Sequence, residues 1–146
     1  MAASTNVAQP GLFVRPFKRT GLWSWLTTVD HKKLGIMYIV SSFLFLGLAS
    51  IEAFIMRLQL MRPGQQLVSP DFFNQMFTMH GLTMVFLAIM PLGIGFANYF
   101  VPLMIGARDL AFPRLSAYGY WCYLFGGLII LAALIFGVAP DSGWFM

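Results

Sequence analysis

The chain has 146 residues, of which 59% are hydrophobic and only 10% charged, with a formal net charge of +4 and a mean hydropathy of +0.77. A soluble domain carries roughly 25% charged residues, so this chain cannot cover itself with a solvated surface, and composition alone makes it a membrane protein. Its single cysteine, Cys122, excludes disulfide frameworks, CxxC redox pairs and thiolate clusters; within an apolar run it reads as a small buried hydrophobe.

Residues 1–20 are polar and end in a basic stretch, Arg15, Lys18 and Arg19. The apolar segment that follows is too long for the core of a secretory signal and has no small-residue cleavage site. The expectation is a retained cytoplasmic tail over 1–20, with segment 21–33 lying along the inner membrane surface.

Three apolar stretches then follow, about 34–56, 72–101 and 115–139, each long enough for the roughly 20 residues that a bilayer crossing needs. They are separated by MRPGQQLVSPD and PLMIGARDLAFPR, whose prolines and glycines stop helices. The expected fold is all-α, with three transmembrane helices over 21–146 that bury little on their own and require further transmembrane partners. Arg15, Lys18, Arg19, Lys32, Lys33, Arg108 and Arg114 fall on one side of the membrane, and Arg57 and Arg62 on the other. The positive-inside rule therefore places the N-terminus and the second loop in the cytoplasm. Trp23, Trp25 and Trp144 fall near the interfaces, where indoles are favoured.

Within the second stretch, Pro91 removes a backbone hydrogen bond. A kink is expected there, with the freed carbonyl satisfied by a neighbouring helix. Gly93 and Ala97, four residues apart, read as a place for close helix approach.

His80, in FNQMFTMHGLTMVFL, is an ionisable residue inside a span and hence a functional hypothesis by default. It is a haem-iron ligand, a proton-relay member, or an imidazole hydrogen-bonded between helices. Gly81, directly after it, removes bulk where a porphyrin face would approach. Eight residues from Phe72, at 1.5 Å per residue, place His80 about 12 Å below the outer end of its helix. His31, the only other histidine, reads as an inner-interface residue. The two lie more than about 20 Å apart along the membrane normal and cannot share one metal, so a haem on His80 must take its second axial ligand from outside this chain.

Arg57 closes the first helix on the outer side, either snorkelling to lipid headgroups or donating to a polar haem substituent. Glu52 lies a turn and a half deeper and reads as a partner of a cation or a water. Asp109 is an acid in a basic inner loop: it is salt-bridged to Arg108 or Arg114, or it collects protons at a channel mouth, with Asn98 offering amide hydrogen bonds along the route.

Four stretches, LWSWLTTVDHKKLGIMY, FIMRLQLMRPG, FTMHGLTMVFLAIMPLGIGFANYFVPLMIGARDLAFPR and APDSGW, resemble the subunit I family of haem–copper oxidases, most closely bacterial cytochrome c oxidases of the A type. They extend in family order over nearly all of residues 22–144. The resemblance implies the first three helices of a twelve-helix bundle in a bacterial inner membrane. It makes His80 an axial ligand of the low-spin haem (haem A), brings Arg57 to the haem formyl group, and makes Asp109 and Asn98 members of a proton-entry pathway. A high-spin haem and copper B are implied for the full subunit, ligated by later helices, which makes this fragment inactive alone. The implied partners are those later helices, other oxidase subunits, lipid, and cytochrome c or a c-type haem domain as donor; nothing points to nucleic acid.

The chain departs from the family pattern in three places. Ser116 and Ala117 stand where an asparagine pair is frequent, which puts proton pumping in question. Gln59 and Arg62 occupy ligand positions of a calcium or sodium site, so no such metal is expected. Leu48 and Phe72 replace an Arg and a His of the quinol-oxidase pocket, although Glu52 and Gln75 suit its other two positions; this favours cytochrome c over quinol. A cofactor-free helical scaffold is the rival of another class, and it requires His80 to be purely structural.

Overall fold

A computed structural model describes residues 21–143. The expected tail over 1–20, with Arg15, Lys18 and Arg19, and the interfacial Trp144 lie outside the described residues. Five α-helices occur in chain order, with no strand among the described residues: α1 Trp23–Leu26, α2 His31–Gln59, α3 Pro70–Leu82, α4 Met90–Met104 and α5 Pro113–Ile135. A π-helical segment, Thr83–Ile89, joins α3 to α4. Among the described residues three helices are long and apolar enough to cross a membrane, His31–Gln59, Pro70–Met104 and Pro113–Ile135, with mean hydropathies of 2.1, 1.9 and 1.8.

The helix ends follow from local chemistry. Asp30 caps α2 by accepting from the Lys32 N–H at 2.9 Å, and Ser69 caps α3 ahead of Pro70 by accepting from Phe72; short polar side chains satisfy the orphan N–H groups of a first turn, and proline there lacks only a donor that would be unused. At the other ends, Gly106 and Gly137 adopt φ of 68° and 70°. The bonds Ala107 N–H to Pro102 O (2.8 Å) and Val138 N–H to Ala133 O (3.0 Å) close α4 and α5 in the glycine-terminated motif that such φ values permit. The third span therefore stops at Ile135, four residues short of the sequence-based limit, because Gly137 turns the chain first.

Helix α2 packs against the α3–π–α4 span and against α5. Its closest approach is made by Gly35 and Gly95: a Cβ at Gly35 would lie 2.9 Å from Gly95 O and from Tyr99 Cβ, and one at Gly95 would lie 2.9 Å from Tyr38 Cβ. The expected Gly93 and Ala97 pair does not serve this purpose. Gly93 has nothing within 4 Å of its Cβ position and both residues are exposed, since the face of α4 turned to α2 carries Gly95 and Tyr99. Tyr38 is buried against Tyr120 (5.0 Å, edge-on) and Tyr123 (5.5 Å, stacked), which joins α2 to α5. Cys122, expected to be buried, is exposed, because α5 buries only Tyr120 and Gly127 and turns its remaining faces away from the other helices of this chain.

At Pro91 the backbone does lose a donor, and a wide turn stands directly ahead of the proline. Over Thr83–Ile89 the helix runs with an i→i+5 pattern, as in Met90 N–H to Val85 O. The Leu87 carbonyl, four residues before Pro91, accepts instead from the Tyr123 hydroxyl of α5 at 2.8 Å. A neighbouring helix thus satisfies this carbonyl, as the sequence implied.

Candidate haem-ligand and proton-entry site

His80 lies in the last turn of α3, where α3 faces α2. Its Nδ1 is 2.9 Å from the backbone O of Ala49. A carbonyl can only accept, so Nδ1 carries the proton, and in the neutral ring Nε2 then keeps its lone pair. The arrangement depends on Ala49 being small and fully buried, which lets a ring from the facing helix reach the α2 backbone. A carbonyl has two lone pairs, so Ala49 O can serve both helix and imidazole. Gly81 beside it is half-buried and adds no side chain next to the ring.

Glu52 is buried one turn beyond Ala49, and Thr83, one turn beyond His80, is fully buried. Helical side chains lean toward the N-terminus of their own helix. With α2 and α3 antiparallel, Glu52 and Thr83 therefore lean toward one another near the level of the His80–Ala49 bond. Thr83 lies beside the Glu52 carboxyl, yet Glu52 Oε2 and Thr83 Oγ1 have no hydrogen-bond partner within the described residues. Arg57 is exposed in the last turn of α2. It stands eight residues, or about 12 Å of helix, beyond Ala49 along α2.

The loop between α2 and α3 is held by the Gln59 side chain. Gln59 Nε2 donates to Gln65 O at 2.7 Å, while Gln59 Oε1 accepts from Leu67 N–H at 2.7 Å and Val68 N–H at 3.0 Å. Arg62 is exposed at the loop tip. Gln75 donates to Gly137 O at 3.2 Å, which ties α3 to the end of α5. Leu48 and Phe72 are 40% exposed and half-buried respectively.

At the opposite end of the spans, Asp109 Oδ1 lies 3.5 Å from His31 Nδ1 and also accepts from the Leu110 N–H at 3.0 Å. His31, at the start of α2 as an interface residue would be, is only 5% exposed, because the loop after α4 folds over the start of α2, and its Nε2 is buried without a hydrogen-bond partner among the described residues. Asn98 is half-buried on α4. Ser116 and Ala117 fall in the first turn of α5, where the Ser116 hydroxyl donates to Phe112 O at 3.2 Å. In α1, Trp25 lies under Lys33 Nζ at 5.5 Å, a cation–π contact suited to an interfacial indole.

Two clusters thus stand at opposite ends of the spans: His80 with Ala49, Glu52 and Thr83 toward one end, and Asp109 with His31 at the other. No three His, Cys, Asp or Glu side chains converge among the described residues. A bare ion would need more donors than either cluster offers, whereas a porphyrin brings four nitrogens of its own and asks for one axial imidazole.

Residues 33–146 match the family described as Cytochrome C and Quinol oxidase polypeptide I. The chain belongs to that family. Among its relatives, the cytochrome c oxidase subunit 1 of Alkalihalophilus pseudofirmus is 49% identical over 127 residues, 87% of this chain and 20% of the relative. That of Bacillus subtilis is 48% identical over 123 residues, 84% of this chain and 20% of the relative. A probable cytochrome c oxidase subunit 1-alpha of Streptomyces avermitilis is 50% identical over 122 residues, 83% of this chain and 21% of the relative. The chain spans about a fifth of the length of these relatives. With three apolar spans and bacterial relatives, it is a multi-pass protein of a bacterial membrane.

Sequence reasoning missed three residues at these clusters: His31 as the neighbour of Asp109, Thr83 as the neighbour of Glu52, and Tyr123 as the donor to Leu87. A tyrosine on a neighbouring span was a visible candidate for the carbonyl freed by Pro91. Nothing in the sequence pairs His31 with a residue 78 positions later.

Proposed function

We propose that the chain is part of the catalytic subunit of a terminal respiratory oxidase, and that His80 Nε2 is an axial ligand of its low-spin haem, haem A by family resemblance. The observation that carries this reading is the 2.9 Å contact between His80 Nδ1 and Ala49 O. Metal-bound imidazoles almost always donate their second ring N–H to a carbonyl or carboxylate, which fixes the tautomer and raises ligand basicity. When bound, such a haem supplies one-electron chemistry at a potential set by axial ligation, hydrogen bonding and burial. Gly81 leaves room beside the ring. Arg57, outward along α2, supplies a guanidinium donor for a formyl oxygen. The second axial ligand, the high-spin haem and the copper B ligands belong to later helices of the subunit, and other oxidase subunits complete the assembly.

Asp109 is the proton-entry carboxylate of this reading, and Asn98 an amide on the route inward. His31 holds the Asp109 side chain against the start of α2. Lys32, Lys33, Arg108 and Arg114 at that same end support a cytoplasmic N-terminus, on the side from which protons are taken. Leu48 and Phe72, apolar at two places where a quinol pocket needs polar groups, support cytochrome c or a c-type haem domain as the electron donor.

The test is His80→Ala in the full-length subunit in its native membranes, compared with the unaltered protein by reduced-minus-oxidised spectroscopy. Selective loss of the low-spin band, with the subunit still present by immunoblot, is the expected result. A retained low-spin band removes the assignment. Assaying the same membranes with reduced cytochrome c and with a quinol distinguishes the donor.

A further inference from the structure

Three residues after His80 the second span leaves the α-helical pattern, and it resumes it at Met90. A π turn takes up one residue more than an α turn, and each residue of an α-helix advances the chain by about 100°. The presence of the wide turn therefore decides which way the outer half of the span, with His80, faces relative to the inner half. A wide turn of this kind has to be held in place, because a π-helix is rare and confined to short segments.

Pro91 and Tyr123 supply the hold. Pro91 has no N–H to offer the Leu87 carbonyl four residues before it, and an unsatisfied carbonyl inside a membrane costs several kcal/mol. Tyr123 donates to that oxygen at 2.8 Å. The ring is kept in position by stacking on Tyr38 at 5.5 Å and by Phe45 edge-on at 5.7 Å. One turn further along α5, Gly127 brings the backbone so close that a Cβ would lie 2.8 Å from Phe45 Cζ and 3.1 Å from Leu87 Cδ2. Helix α5 is thus seated directly on the wide turn, with the Tyr123 hydroxyl donating to a carbonyl inside it.

We propose that Tyr123 is a positioning residue for His80: by holding the Leu87 carbonyl it pins the wide turn, and so fixes the rotation of the imidazole about the span. The inference rests on the reading of His80 as a haem ligand. Removing the hydroxyl takes the side-chain donor from the Leu87 carbonyl, and a turn that then closes to the regular α pattern swings His80 away from Ala49 O.

The experiment compares Tyr123→Phe and Tyr120→Phe in the full-length subunit in native membranes, using electron paramagnetic resonance of the oxidised low-spin haem, whose g-values follow the orientation of its axial imidazoles. Tyr120 belongs to the same ring cluster, while the hydroxyl on Leu87 belongs to Tyr123. The expected result is a shifted or split low-field feature in Tyr123→Phe, with haem content retained and Tyr120→Phe unchanged. An unshifted feature in Tyr123→Phe overturns the proposal, as does an equal shift in Tyr120→Phe. If Tyr123→Phe does not assemble, Pro91→Ala is added to it, which restores a backbone N–H four residues from Leu87. Recovery of haem content and signal supports the proposal, and failure to recover overturns it. His80→Ala, run in parallel, separates the two readings. A low-spin signal that survives there removes the haem assignment, whereas a signal lost there and unshifted in Tyr123→Phe removes only the positioning role.

Discussion

His31 Nδ1 lies 3.5 Å from Asp109 Oδ1, which ties the first residue of α2 to the loop that follows α4. On the reading of Asp109 as a proton-entry group, Asp109→Asn keeps the side-chain shape and removes the proton-accepting carboxylate. Turnover in the full-length enzyme is expected to fall about 10²-fold, the lower range for loss of an acid–base group, with an unchanged low-spin haem band. His31→Gln is expected to give a smaller fall in turnover. Stopped-flow proton uptake with a pH dye checks both, and an Asp109→Asn enzyme that takes up protons at the unaltered rate ends the assignment.

On the reading of Arg57 as a donor to a haem substituent, it offers a second test. Arg57→Met removes a cation and five N–H donors while keeping an apolar stem of similar reach. The expected outcome is a blue shift of the low-spin haem absorption band and a lower midpoint potential, measured by redox titration. A band that stays where it was removes the contact with a formyl group.

The loop between α2 and α3 depends on the amide of Gln59, which makes three hydrogen bonds to loop backbone. Gln59→Ala leaves those groups to solvent, and at about 1 kcal/mol for each net hydrogen bond a stability loss of about 1–3 kcal/mol is expected. Thermolysin cleavage between Leu60 and Leu67 is expected to accelerate in Gln59→Ala before any change in haem content. Equal cleavage rates in the two proteins indicate that the loop is held by other contacts.

Close packing of α2 on α4 yields a paired prediction. Gly35→Ala and Gly95→Ala each place a methyl 2.9 Å from rigid neighbours, among them a backbone oxygen at Gly35, and overpacking of this kind costs about 1–3 kcal/mol or more. Gly93→Ala meets nothing within 4 Å and is expected to be neutral or slightly stabilising. Thermal inactivation of the detergent-solubilised enzyme separates the three variants.

The spans were legible because length and apolarity alone define a membrane crossing, whereas their ends are set by Asp30, Ser69, Gly106 and Gly137, which the apolar pattern does not include. His80 stood out because an ionisable group within a span is costly. What stayed hidden depended on facing partners. Gly93 and Ala97 have the spacing of a packing motif, but Gly95 is the glycine that faces α2, and spacing carries no information about facing. His31 is buried by a loop whose path no local pattern sets. The wide turn at Thr83–Ile89 left no trace either: Pro91 announced a missing donor, but whether a helix bends or widens in response depends on what lies beside it, here Tyr123 and Gly127.

The wide turn has a further consequence for how this helix tolerates changes of length. Losing one residue from the middle of a membrane helix ordinarily swings everything beyond the gap to a new face. Between Thr83 and Ile89 the span carries one residue more than a regular helix needs, so a single deletion there can be absorbed by closing the turn. His80 and Asn98, on either side of it, would keep their faces while the span grew shorter by one step.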